Sequence, residues 1–269
     1  MNPGIYTISA EEYHAIDALS ASGLKLLAES PAHYKYAIRE ETRAMFIGSS
    51  THCAVFEPER FKAEYVIAPN GDKRTKAVQA AWAELEAGGK RILTEEEFAD
   101  VTGMARSVLE DETAGEIVNG GMPERSIFWS SSIIYNGMPV EVFCKARPDY
   151  IREVEGRYDI IDLKTTLNAK PHAFTRVSND YGFHVQAAHY HAGCTSVLDM
   201  PVGSFVFIAV EKKPPYALMV YVANQNFINL GYSENNRLKA LYAKCQTEGK
   251  WPKYANNVQE LDVPAWAKN

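Results

Sequence analysis

Asn136-Gly137 stands between two runs of β-formers, Ser126 to Ile134 and Val140 to Ala146. A two-residue hairpin turn needs positive φ angles, which Asn and Gly supply at least cost. The chain is thereby committed to an antiparallel pair near its middle. A third strand is expected from Tyr158 to Leu163, with Glu153 to Gly156 as the turn before it. Two more are expected at Ser204 to Val210 and Ala217 to Val222, separated by Lys212-Lys213-Pro214-Pro215. Helices are expected from Pro171 to Val177, Tyr181 to Leu198 and Asn224 to Thr247.

Upstream of Ser126 the pattern is helical. Ser20 or Ser22 caps a helix through Leu24, Leu26 and Leu27 that stops near Ser30-Pro31. Pro31 opens a second helix through Tyr34 and Ile38. A third covers Arg43 to Phe56, and a fourth Thr75 to Glu86. Thr94 to Glu97 is a capping box, opening a helix with Phe98, Val101, Met104 and Val108 on its apolar side. The order predicts an α/β fold, a mixed β-sheet flanked by helices with a helical N-terminal part. One domain is expected over 1–269: the helical part to about 120, a core over about 121–248, and an irregular tail, 249–269.

With 46% hydrophobic residues the chain has a core to bury. It has no run of ~18 apolar residues and no secretory pattern at its start, so a cytoplasmic protein without a membrane span is expected. A net charge of −6 and a pI near 5.7 argue against a surface coated with cations. They leave room for a nucleic-acid path confined to one groove. Cys53, Cys144, Cys194 and Cys245 are too widely spaced for a zinc knuckle and read as free thiols.

The chemistry begins at Asp162-Leu163-Lys164, after the apolar run Ile160-Ile161. Residues two apart share a strand face, so Asp162 and Lys164 project together while Leu163 turns to the core. Alone, this D-x-K is weak, and Glu211-Lys212-Lys213 is a decoy of the same form. What separates them is Pro148-Asp149, thirteen residues before Asp162 and at the end of the preceding strand. Two antiparallel strands would bring the carboxylates to metal-bridging distance. Hard oxygen ligands holding Mg²⁺ suit attack on an anionic phosphodiester, and a lysine can orient the water or offset charge.

Cys144 to Ile151, Ile161 to Thr166 and Tyr181 to Tyr190 resemble the RecE-type exonucleases (exodeoxyribonuclease VIII), in the RecB-like branch of the PD-(D/E)XK (restriction-endonuclease-like) superfamily. Gly48 to His52, Asp72 to Lys76, Pro123 to Trp129 and Val263 to Trp266 extend the likeness over nearly the whole chain. The resemblance implies metal ligation by His52, Asp149, Asp162 and the Leu163 carbonyl, with Gly48 leaving room for close approach. It implies Asp149, Asp162, Lys164, Gln186 and Tyr190 as the catalytic set. The last two are a Q-x-x-x-Y pair that shares one helical face by its spacing. It further implies Mg²⁺ or Mn²⁺ as cofactor and a bacterial or phage origin. The activity implied is resection of double-stranded DNA ends, 5′ to 3′, for single-strand-annealing recombination. A ring-shaped homotetramer and a single-strand annealing protein as partner belong to the same likeness.

Lys73, Arg74 and Lys76 form the clearest basic loop, and Lys145 and Arg147 flank the Asp149 motif; all five are DNA-binding candidates. Glu124 is a further acid near the site. His184, His189 and His191 lack an acid-bearing ligand pattern and read as structural or DNA-facing. No late cysteine trio exists, so no iron–sulfur cluster is expected. Two alternatives stand beside the exonuclease. One is a RecB-like endonuclease or single-strand nuclease. The other is a catalytically silent DNA-end-binding protein on the same scaffold.

Overall fold

The computed structural model describes residues 1–38, 40–72, 74–254 and 258–263. The first third contains β1 (Gly4–Tyr6), α1 (Ala10–Ala15), α2 (Ala21–Glu29), α3 (Pro31–Tyr36), α4 (Arg43–Phe56), α5 (Pro58–Glu64) and β2 (Tyr65–Ile67). Then come α6 (Lys76–Ala87), β3 (Arg91–Leu93), α7 (Glu95–Glu110), α8 (Glu112–Ile117) and β4 (Met122–Pro123). The long strands follow: β5 (Ser126–Tyr135), β6 (Met138–Ala146), β7 (Tyr150–Val154) and β8 (Arg157–Thr166). The chain continues through α9 (Pro171–Asp180), α10 (Phe183–Val197), β9 (Val202–Glu211), β10 (Leu218–Val222) and α11 (Gln225–Glu248).

The hairpin signal is realised as expected. Tyr135 pairs with Met138, leaving Asn136 (φ 50°) and Gly137 (φ 76°) as the two turn residues. Glu155 (φ 50°) and Gly156 (φ 74°) make the same kind of turn between Val154 and Arg157. The strand leading into that turn, β7, is not legible in the sequence. It is five residues long and carries Arg152 and Glu153 in its second half. The expected mixed sheet flanked by helices is present, and the Asn136-Gly137 hairpin stands apart from it. β5 and β6 form a three-stranded antiparallel sheet with β1, and a separate five-stranded mixed sheet runs β10-β9-β8-β7-β4. A short parallel pair, β2 with β3, lies in the helical part.

β8 and β9 run parallel, joined by a crossover through α9 and α10. Both strands are covered on both faces, so their side chains divide by parity. Ile160, Phe205, Phe207 and Ala209 pack with Leu24 and Leu27 of α2, Ala187 of α10 and Leu238 of α11. Ile161, Leu163, Val206, Ile208 and Val210 pack with Phe56 of α4 and with Val101, Met104 and Val108 of α7. Asp162 and Lys164 share parity with Ile160, so they emerge on the α10 side.

The capping chemistry locks the helices that frame this sheet. Ser20 Oγ accepts from the Gly23 amide, and Thr94 and Glu97 complete a reciprocal box. The α10–α11 crossing is close enough that a Cβ at Gly231 would sit 2.0 Å from the His184 carbonyl oxygen. All four cysteines are free and buried. No helix among the described residues is long and apolar enough to cross a membrane.

Candidate active site

Asp162 is fully buried. Its Oδ1 accepts a hydrogen bond from Gln186 Nε2 at 2.6 Å, while Oδ2 lies against the Lys164 ammonium without a well-directed hydrogen bond. Lys164 Nζ also donates to Gln186 Oε1 at 3.2 Å. One amide therefore ties the carboxylate to the lysine. Gln186 reaches them because Gly182, in the left-handed region (φ 60°), starts α10 beside β8. Tyr190, one turn further on, shares that face. Burial raises its phenol well above the ordinary value, and the Tyr13, Asp162 and Asp149 charges add to the effect, so it stays protonated.

Asp149 comes from just before β7, not from the end of β6 as the sequence reading has it. The β7–β8 ladder ends at Tyr150 and Ile161, and Asp149 Oδ2 then accepts the Leu163 amide at 2.8 Å. The same oxygen lies 3.2 Å from His52 Nδ1 on α4. Glu124 completes the cluster. Its amide donates to the Asp149 carbonyl at 3.0 Å, and its backbone has a positive φ of 51°. One ligand atom from each of His52, Glu124 and Asp149 lies within 4.8 Å of the others.

Electrostatics mark this as a site short of positive charge. Burial and the neighbouring Asp149 charge push Glu124 up. Burial pushes Asp162 up despite Lys164. Burial acts on Asp149 in the same direction, but His52, Lys164 and the Leu163 amide outweigh it and hold the carboxyl below its ordinary value. Burial opposes charge on His52, yet Asp149 prevails and the imidazole is raised. A divalent cation fits this donor set of hard carboxylates and one imidazole. The buried Asp162 Oδ2, lacking a hydrogen bond, adds to the fit. His52, Glu124 and Asp149 form the ligand group that closes on itself; Asp162 stands beside it, engaged with Gln186 and Lys164.

The structure thus gathers His52, Asp149, Asp162, Leu163, Lys164, Gln186 and Tyr190 in one place. It gives the expected cations other surroundings. Lys145 is buried, and its ammonium donates to the Tyr13 and Ile16 carbonyls at 2.9 and 2.6 Å, holding the end of α1. Arg147 is bound to Glu124 at 2.6 Å and to Ser126 Oγ and the Ile8 carbonyl. Both turn to partners within the protein, Lys145 from β6 and Arg147 from just beyond its end, which a motif reading does not reveal. Arg74 is exposed and paired with Asp72, and Lys76 opens α6 at the surface. Lys73 lies outside the described residues. His189 is buried, with Nε2–H donating to the Lys145 carbonyl, and His191 meets the Tyr232 hydroxyl. Gly48 is not a forced glycine, since a Cβ there would meet only Thr165 Oγ1, at 3.9 Å. Glu211 of the decoy motif accepts the Ala169 amide at 3.0 Å.

Lys25 escaped the sequence reading, because on α2 it looks like a solvated position between buried leucines. Burial and the Lys164 charge bring its pKa down to about 8. It lines a cavity of about 260 Å³ together with Ser20, Ser22, Tyr13, Gln186 and Tyr190. Glu124 was read as a further acid near the site, but its place in the ligand group was not legible, since nothing local announces its positive φ.

A parallel β8–β9 pair bearing carboxylate-x-lysine, met by a carboxylate that stands just before the adjoining strand β7, defines the restriction-endonuclease-like PD-(D/E)XK class. The chain belongs to the family described as a PDDEXK-like domain of unknown function (DUF3799), whose model matches residues 20–263. The fold is similar to the crystal structure of a "putative exonuclease" from Eubacterium rectale. That match covers 96% of this chain and 97% of the other, at a TM-score of 0.60 and 15% identity. The structure of SSO0001 covers 79% of this chain and 84% of its own at 12% identity, but its TM-score of 0.28 carries no weight. No curated protein matches the chain.

Proposed function

We propose that this chain is a divalent-metal-dependent DNA exonuclease of the RecE type, degrading double-stranded ends from 5′ to 3′. The observation that carries the reading is Lys164, tied through Gln186 to buried Asp162 and set beside the His52–Glu124–Asp149 cluster. His52, Glu124 and Asp149 would hold Mg²⁺ or Mn²⁺, with Asp162 and the Leu163 carbonyl at its edge. When bound there, such a cation would offset the negative charge a phosphodiester gains on attack and would lower the pKa of water. Gln186 fixes the Lys164 ammonium, which orients the attacking water and offsets charge at the phosphoryl oxygens. Tyr190, held protonated, is a hydrogen-bond donor to the same oxygens.

The preference for ends rests on the cavity beside the site. Ser20, Ser22 and Lys25 offer hydroxyls and a cation to a phosphate, and α1, α2 and α10 wall the space behind them. A chain end enters such a recess more readily than a continuous duplex. The recombination role, an annealing partner and a ring-shaped homotetramer in a bacterial or phage-infected cytoplasm complete the proposal by likeness to the RecE type.

The test is digestion of end-labelled linear duplex beside closed circular DNA, with Mg²⁺, by wild type and Lys164→Ala. Release of 5′ label from the linear duplex alone, lost in the variant, is the expected result. Cutting of the circle would replace the exonuclease with an endonuclease. Binding without cleavage under Mg²⁺ or Mn²⁺ would leave a DNA-end-binding protein.

A further inference from the structure

Three aromatic rings step from the interior to the surface beside the candidate site. Phe207 and Phe183 lie 5.7 Å apart at 26°, and Phe183 and Tyr181 lie 6.2 Å apart at 25°. The first two rings are buried, while Tyr181 is 66% exposed. Gly182 produces this step, because its left-handed turn separates the end of α9 from the start of α10. Exposed tyrosines also stand at Tyr36 and Tyr254. Tyr181 differs in what lies behind it. The Phe183 ring carries two ammonium groups, Lys164 at 4.9 Å and Lys25 at 5.4 Å from its centroid. Two like charges over one ring, with buried Asp162 as the nearby acid, make a place for a further anion.

We infer that Tyr181 is a stacking platform for a nucleobase of the substrate strand, next to the phosphate that meets Lys25 and Lys164. The inference rests on the phosphodiester reading of the site and extends it from the phosphate to the base. A nucleotide needs both features at short range, cations for its phosphate and a flat apolar face for its base. Here the face lies one ring beyond the ring under the cations. Stacking of this kind tolerates any base, because every base has a π-face. The site would therefore grip a frayed or single-stranded nucleotide without reading sequence.

The test uses an oligonucleotide duplex with 2-aminopurine at the 5′-terminal position, bound by the full chain with Ca²⁺ replacing Mg²⁺. Wild type and Tyr181→Phe are expected to quench the probe, and Tyr181→Ala is expected to leave it bright. Affinity for the normal end is expected to fall about 5- to 150-fold in Tyr181→Ala. With an abasic residue at that position, wild type and Tyr181→Ala should bind alike. An exposed residue is not needed for folding, so the variant's melting temperature should match wild type. Equal quenching by wild type and Tyr181→Ala, or equal loss from the abasic residue in both, would overturn the stacking role. If wild type cleaves ends normally in that case, the nuclease reading survives and the platform alone is wrong. If wild type neither binds nor cleaves DNA, the nuclease reading fails and takes this inference with it.

Discussion

Asp149 takes the place of the next residue in the β7–β8 ladder, accepting the Leu163 amide through its side chain at 2.8 Å. The chain thereby welds its two acid motifs together before any metal or substrate arrives. The two jobs of Asp149, acceptor and charge, separate by substitution. Asp149→Asn keeps an oxygen for the Leu163 amide and should change stability by no more than about 1 kcal/mol. It should abolish both DNA cleavage and the calorimetric heat of Mn²⁺ binding. Asp149→Ala also strands a buried amide and should cost about 1–3 kcal/mol more in urea unfolding. Equal stability of the two variants would dismiss the structural half of this account.

Lys164 and Asp162 form a pair that tolerates the loss of both partners better than the loss of one. Lys164→Ala leaves a fully buried carboxyl with Gln186 as its remaining partner. Breaking a buried pair in this way costs about 3–5 kcal/mol, less whatever protonation recovers. The double variant Lys164→Ala with Asp162→Asn should regain much of that stability while remaining inactive. Chemical denaturation of the four proteins in the cycle measures the coupling. A Lys164→Ala protein as stable as wild type would show that the ion pair is unimportant to the fold.

The grouping of the central residues was legible where strand and helix periodicity joined with the resemblance of their motifs to a known family. Asp162, Leu163 and Lys164 alternate faces in any strand, and Gln186 and Tyr190 share a face in any helix. What the sequence hid depends on distant neighbours. β7 is short and polar in its second half, so its existence rests on pairing with β8 and β4. Glu124 reaches the cluster only through a left-handed backbone fixed by its bond to the Asp149 carbonyl. Lys145 and Arg147 looked like cations for DNA, yet carbonyls and Glu124 claim them. A charged residue beside a motif says nothing of which way it turns.

His189 should make the fold sensitive to mild acid. Burial lowers its pKa to about 3, with the Lys239 charge acting the same way. An unfolded histidine takes a proton near pH 6.5, while the folded one refuses it until far lower. The unfolded state therefore binds more protons, and stability falls as pH drops through that window. The slope is about 1.4 kcal/mol per pH unit for this one group, with a ceiling of about 5 kcal/mol. Its contribution is complete above pH 6.5. His189→Gln keeps a donor for the Lys145 carbonyl and removes the titration. Unfolding free energies between pH 7 and 4.5 should fall less steeply in the variant. Parallel profiles would mean that His189 is not the titrating group.

Two glycines separate a packing requirement from a family motif. At Gly231 of α11 a Cβ would lie 2.0 Å from the His184 carbonyl oxygen and 2.7 Å from the Ala188 side chain. Neither neighbour yields, because the first is backbone of α10 and the second is a buried methyl. Gly231→Ala must push the two helices apart, at a cost of about 1–3 kcal/mol. Since α10 carries Gln186 and Tyr190, the shift should also lower cleavage in protein that remains folded. At Gly48 of α4 a Cβ meets only Thr165 Oγ1, at 3.9 Å. Gly48→Ala, in a helix interior, should fold as well as wild type or better by up to about 1 kcal/mol. Any loss of cleavage in Gly48→Ala would then come from crowding the substrate, not from damage to the fold. Thermal melts and DNA cleavage of both variants decide the matter: a stable, fully active Gly231→Ala would refute the tight crossing, and a destabilised Gly48→Ala would refute the open space at α4.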